Sequence, residues 1–130
     1  HRCIQESIAQ AGIPPAAVDA VNAHAAGTRV GDKVEYDALR AVFGPKLPPV
    51  TANKSLIGHA MGASSAIESI LAFEGMRAGQ LPPTINYKPD PEIPIDCVAE
   101  GSRAVDQTYV LKNAFGFGGC NSCIVFERLR

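Results

Sequence analysis

Three short runs hold the side chains that could do chemistry. Residues 22–28 (NAHAAGT) contain His24 and Thr28, and residues 53–59 (NKSLIGH) contain Lys54 and His59. Residues 115–121 (FGFGGCN) contain Phe115, Gly116, Phe117, Gly118 and Gly119. An imidazole can hold or move a proton near neutral pH. Imidazole and ammonium groups also donate hydrogen bonds, and donors fixed where negative charge develops stabilise that charge. Taken singly, each run has a plain structural reading. A histidine at a strand end can be a satisfied structural residue, and a lysine is by default a surface charge. A glycine turn can simply be a hairpin that needs φ > 0. Jointly they weigh more, because all three fall at strand ends of like orientation, where one sheet edge could gather them.

The elements that must position these runs follow from periodicity. Residues 1–12 place Ile4, Ile8 and Ala11 at helical spacing, with Gly12 to close the helix. Residues 18–23 and 49–52 read as short buried strands. Residues 31–43 read as an amphipathic helix with Asp32 and Glu35 near its start, ended by Gly44-Pro45. Residues 58–78 are apolar around most of a helical circumference and rich in small residues in their first half. They predict a long, largely buried central helix opening at His59. Residues 80–96 hold five prolines (Pro82, Pro83, Pro89, Pro91, Pro94) and predict an extended surface connection. Residues 109–114 and 122–129 read as an antiparallel hairpin across the glycine turn 116–119. The order α-β-α-β-α-loop-β-β predicts an α/β fold: a mixed sheet with helices packed on it.

Composition narrows the function classes. Of 130 residues, 46% are hydrophobic and 19% charged, which excludes disorder as the main state. Twelve Lys and Arg against thirteen Asp and Glu give a net charge of −1, with no basic excess to follow a phosphate backbone, so nucleic acid is not an expected partner. No apolar run reaches the ~18 residues of a bilayer span, so no membrane association is expected. The four cysteines Cys3, Cys97, Cys120 and Cys123 form no zinc-type ligand set. Cys120 and Cys123 are separated by two residues in a β-like run that would point them to opposite faces. No metal is expected, and all four are read as reduced thiols in a cytosol-like compartment. The chain opens on His1 rather than Met, in what already reads as a helix. The expectation is one domain, residues 1–130, from a longer polypeptide whose N-terminal half is not included. Standing alone, such a chain would expose an apolar patch larger than the roughly few hundred Å² usual for a monomer.

The ordered motifs His24-x-x-Gly27-Thr28, Lys54-x-x-x-Gly58-His59 and Gly116-Phe117-Gly118-Gly119-x-Asn121 resemble the C-terminal signatures of the β-ketoacyl-[acyl-carrier-protein] synthases. The resemblance covers nearly the whole chain. Gly31-Asp32…Glu35, Leu81-Pro82-Pro83-Thr84-Ile85-Asn86 and Pro89-Asp90-Pro91-Glu92 extend it. These segments look most like the type II elongating enzymes (synthase II) and their polyketide relatives. The resemblance implies the C-terminal half of a thiolase-like fold. It implies an acyltransferase that catalyses decarboxylative Claisen condensation in fatty-acid or polyketide synthesis. The implied partners are an acyl carrier protein and acyl and malonyl thioesters, in a cytoplasmic homodimer. No resident cofactor is implied, because the phosphopantetheine arm arrives on the carrier.

Residue by residue, His24 and His59 match the family histidines that hold the malonyl thioester oxygen and stabilise the enolate formed on CO2 loss. A neutral imidazole suits that role, and a helix N-terminus at His59 would favour one. Lys54 matches the lysine that orients them, with Glu35 as its expected ion-pair partner and Asp32 in support. Phe117 matches a gating phenylalanine. The backbone N–H groups of the loop from Phe115 to Gly119 would contribute to an oxyanion hole, and Thr28 would contact the pantetheine arm. Three departures stand out. No cysteine here lies in a nucleophile elbow, so the chain as given is expected to be inactive alone, with its nucleophile upstream. Cys120 stands where threonine is common, and Ala26 where many relatives carry a second threonine. A chain-length-factor-like or decarboxylase partner is the alternative. Thiolase fits less well, because Cys120 follows the glycine turn instead of preceding it.

Overall fold

In the computed structural model, which describes residues 1–129, the predicted elements come in the predicted order, with changed boundaries and with one short helix and two short strands added. Helix α1 spans Arg2–Gln10, strand β1 Ala20–Asn22, helix α2 Arg29–Phe43 and strand β2 Val50–Thr51. Helix α3 (Lys54–Ile57) precedes helix α4 (Ser64–Ala78). Strands β3 (Gln80–Leu81), β4 (Arg103–Ala104), β5 (Tyr109–Phe115) and β6 (Asn121–Glu127) complete the chain. The main sheet has the order β2-β1-β5-β6. β1 runs parallel to both β2 and β5, and β5 pairs antiparallel with β6 from Tyr109↔Glu127 to Phe115↔Asn121. The sheet is therefore mixed, as expected.

Strand alternation sorts the core into two layers. Val21, Ala23 and Leu111 point to one face and pack with Ile4 and Ile8 of α1 and Leu39 of α2. Ala20 and Val110 point to the other and pack with Ala72 and Met76 of α4. β1 and β5 are buried on both faces, so their polar members have no route to solvent: Asn22, Lys112 and Asn113 are all buried. Lys112 shares the α4 face with Val110, whereas Asn113 shares the α2 face with Leu111.

Three expectations are corrected. First, residues 58–78 are not one helix. Gly58 at φ 76° ends α3, Met61 sits at φ 49°, and a single 3-10 turn (Met61–Ala63) leads into α4. A left-handed residue cannot propagate a right-handed helix, so His59 lies in a connector. Second, α4 is not largely buried in this chain. Ser64, Glu68, Ala72 and Met76, four apart, form its one buried stripe, while Ile67, Ile70 and Phe73 are exposed. Third, residues 80–96 are not all surface. β3 pairs with β4, Leu81 and Thr84 are buried, and the Thr84 hydroxyl accepts the Ala52 N–H at 2.9 Å.

Candidate active site

The β1–α2 loop carries His24, and a single carboxylate shapes it. Glu35, in the second turn of α2 and buried, accepts the backbone N–H groups of His24 (2.9 Å) and Ala25 (2.8 Å). Its Oε1 also accepts the Asn113 side-chain amide at 3.0 Å. Ala25 is held at φ 36°, a conformation a non-glycine residue adopts only at a cost. The carboxylate holds that bend in place. Thr28 caps α2 by accepting the Gly31 N–H at 3.1 Å, and Asp32 accepts the Gly27 N–H at 3.2 Å. Burial pushes the Asp32 carboxyl up, with the nearby Glu35 charge adding to it and backbone N–H bonds opposing. Glu35 therefore ties the loop and does not pair with Lys54, contrary to the expectation. Its two oxygens are taken by the His24 and Ala25 N–H groups and the Asn113 amide. Glu35→Gln is expected to cost about 1.5–3 kcal/mol, because an amide NH2 would face a backbone N–H and a bond to a charged acceptor would be lost. The shift in urea midpoint at constant slope checks it.

Lys54 pairs instead with Glu68 of α4. Its Nζ lies 2.6 Å from Glu68 Oε1, donates to the His24 carbonyl at 2.5 Å, and stands 3.5 Å from His24 Nδ1. Both side chains are almost fully buried. Glu68 Oε2 faces Lys112 Nζ at 2.7 Å, a charge contact without hydrogen-bond geometry. Neither Glu68 nor Lys112 is among the sequence candidates. Each carries a signal: a lone carboxylate in an apolar helix, and a lone ammonium in a buried strand.

The two candidate histidines meet. Their ring centroids are 5.9 Å apart, edge to face at 83°, and the Phe115 ring stands 5.8 Å from that of His24. Burial, then the Lys54 and Lys112 charges, push the His24 imidazole below its ordinary value of 6.5. The Lys54 ammonium is a donor only, so the neutral His24 ring facing it offers Nδ1 as acceptor and carries its proton on Nε2. His59 Nδ1 accepts the Met61 N–H at 3.0 Å and has the Ser64 hydroxyl at 3.0 Å. That acceptor role likewise places the His59 proton on Nε2. The connector supplies this arrangement, and the expected helix start does not. Both rings thus present an Nε2–H as their free donor.

The glycine turn joins β5 to β6 as expected. Gly118 and Gly119 adopt φ 71° and 81°, and Gly116 N–H is bonded to the Cys120 carbonyl at 2.8 Å. Phe117, at the tip of the turn, is 97% exposed. The four cysteines are free thiols, and burial, with Cys3 alongside, pushes the Cys123 thiol up. Among the described residues, no group of three or more His, Cys, Asp or Glu could hold a metal ion, and no helix is long and apolar enough to cross a membrane. A cleft of about 420 Å³ opens beside Lys54 and Glu35, between α2 and residues 84–97; neither histidine lines it.

Residues 1–88 match the model of the β-ketoacyl synthase C-terminal domain. The chain is 45% identical over 126 residues to a 3-oxoacyl-[acyl-carrier-protein] synthase 2 of Mycobacterium bovis, covering 96% of this chain and 30% of that protein. It therefore spans about a third of the length of the curated relatives it matches. Among solved structures, the ishigamide ketosynthase/chain length factor superposes with a TM-score of 0.95 at 34% identity, over 98% of this chain and 32% of that one. A type II polyketide acyl-carrier protein in complex with its ketosynthase matches at 0.95 and 32% identity, over 99% and 32%. The motifs, the mixed sheet and these likenesses agree: the chain belongs to the β-ketoacyl synthase family, as the thiolase-like C-terminal domain.

Proposed function

We propose that the natural protein carrying this chain is a 3-oxoacyl-carrier synthase that condenses an acyl thioester with malonyl-carrier, with loss of CO2. The observation that supports this best is the pair of histidines, each with Nδ1 occupied and Nε2–H free. In the proposed step the bond from the malonyl α-carbon to its carboxylate breaks. CO2 leaves, and the electron pair moves into the thioester carbonyl as an enolate. The two Nε2–H groups donate to that oxygen, where negative charge grows. The enolate carbon then attacks the acyl thioester and the acyl-bearing thiolate departs. That thiolate is proposed to be a cysteine outside this chain, which leaves the chain inactive by itself. Thr28 is proposed to touch the pantetheine arm, and Phe117 to gate entry. The carrier protein, the homodimer, a cytosolic setting and the absence of a resident cofactor belong to the same reading.

The test is release of CO2 from malonyl-carrier by the natural protein, with and without an acyl donor. CO2 with a β-ketoacyl product supports the reading. CO2 without condensation favours the partner-subunit alternative, and no CO2 from malonyl-carrier overturns both. The pH dependence has a defined sign. Because His24 is pushed below 6.5 by burial and two lysines, it stays neutral as pH falls through 6.5. Decarboxylation should therefore persist there and fail only at lower pH, when His24 protonates and repels Lys54. Between the lowered value and 6.5 the unfolded chain binds more protons, so this group's contribution to stability also shrinks as pH drops. A rate that halves at or above pH 6.5 would contradict the assignment.

A further inference from the structure

The reaction proposed above uses two histidines and Lys54 but leaves one buried cation unexplained. Lys112 is 2% exposed, on a central strand at a position where an aliphatic side chain would pack against α4 without a charge to bury. Its burial is costly unless it is paired. Its amine donates to the Asn113 carbonyl and lies 2.7 Å from Glu68 Oε2. The other Glu68 oxygen lies 2.6 Å from Lys54 Nζ, which in turn reaches the His24 carbonyl and Nδ1. One carboxylate is thus stretched between two ammonium groups, and a continuous run of contacts leads from β5 through α4 and α3 to the His24 ring.

The carboxylate has a choice of poses. With only Lys54 as a partner, it could turn both oxygens onto that ammonium and draw it away from His24. With Lys112 on its far side, one oxygen is taken and Lys54 has valence left for His24. We propose, on the function reading above, that Lys112 is a positioning residue: its ammonium holds one oxygen of Glu68 so that the other keeps Lys54 seated against His24. The groups facing Lys112 are Glu68 from α4, Lys54 from α3 and Glu35 from α2; those facing His24 are Lys54, Lys112, Glu68 and His59. The two lysines against one Glu68 carboxylate leave surplus positive charge near the imidazole. That surplus adds to burial in keeping His24 neutral.

The test uses the natural protein carrying Lys112→Met or Lys112→Gln. The kcat of malonyl-carrier decarboxylation should fall, by up to about 10²-fold, the scale of a misplaced positioning contact, with KM unchanged. The His24 Nδ1 signal, followed by NMR, should lose its hydrogen-bonded shift as Lys54 leaves the ring, which loss of the Lys112 charge alone would not cause. A folded variant with wild-type kcat and a wild-type His24 Nδ1 signal overturns the proposal. If the wild type releases no CO2 from malonyl-carrier, the function reading fails, and the His24 Nδ1 signal alone decides the role of Lys112. Should neither variant fold, the side-chain nitrogen of Lys112 in the wild type decides. An ammonium signal at pH 7 supports the proposal, and a neutral amine overturns it.

Discussion

Replacing His59 by alanine is expected to slow decarboxylation of malonyl-carrier by about 10²–10³, the usual effect of removing one donor from an oxyanion site. The fold should survive the change. His59 is exposed, and its Nδ1 contacts are two: the Met61 N–H in the connector and the hydroxyl of Ser64, the buried first residue of α4. The loss should therefore appear in kcat, with a melting temperature within a few degrees of wild type. The geometry makes this a sharp test. His24 is tethered through Lys54 and Glu35, so its Nε2–H stays in place when His59 is removed. One donor of two is then lost and nothing else moves. An unchanged decarboxylation rate would remove His59 from the mechanism.

The motifs were legible because each needs particular residue types at fixed offsets. Gly118 and Gly119 take positive φ that other residues resist, and two histidines at strand ends limit the chemistry on offer. The order of elements was legible for a related reason, since β1 and β5 are buried on both faces and carry apolar residues on each, as central strands do. What sequence missed has specific causes. Met61 at φ 49° carries no residue signal for a left-handed turn, so an apolar run 58–78 read as one helix. Its apolar circumference also suggested burial on all sides, whereas this chain covers only the stripe from Ser64 to Met76. Glu35 looked like the partner of Lys54 because both lie near motifs. Glu35 comes from α2 and its oxygens are taken by the loop N–H groups and Asn113, whereas Glu68 comes from α4 on the other face, and a one-residue difference in strand parity decides which face a side chain serves. The same parity puts Lys112 on the α4 face with Glu68, a contact between residues 44 apart in sequence that no local pattern reveals.

The network around Glu68 gives the largest expected effect on stability. Glu68→Ala leaves the Lys54 and Lys112 ammonium groups buried, with side-chain exposures of 6% and 2%, and without their carboxylate. Removing one partner of a buried ion pair costs about 3–5 kcal/mol, because an uncompensated charge remains in low dielectric. Chemical denaturation should show a loss in that range at pH 7. The pH trend follows from Lys112, which burial already pushes below its ordinary value of 10.5 while Glu68 holds it up. Without Glu68 that upward pull is gone, and the unfolded variant binds more protons at this lysine than the folded one. Its stability should therefore rise with pH relative to wild type, so the deficit narrows towards pH 10. The variant Lys54→Met/Glu68→Leu/Lys112→Met separates stability from function. With all three charges removed and apolar volume restored, most of the lost stability should return. Decarboxylation should not return, because nothing then donates to His24 Nδ1 or fixes its ring. If Glu68→Ala is as stable as wild type, the three groups are not the buried charges that the geometry describes. If the triple variant keeps wild-type decarboxylation, the network serves the fold alone, and the histidines are oriented by Glu35 and the connector without it.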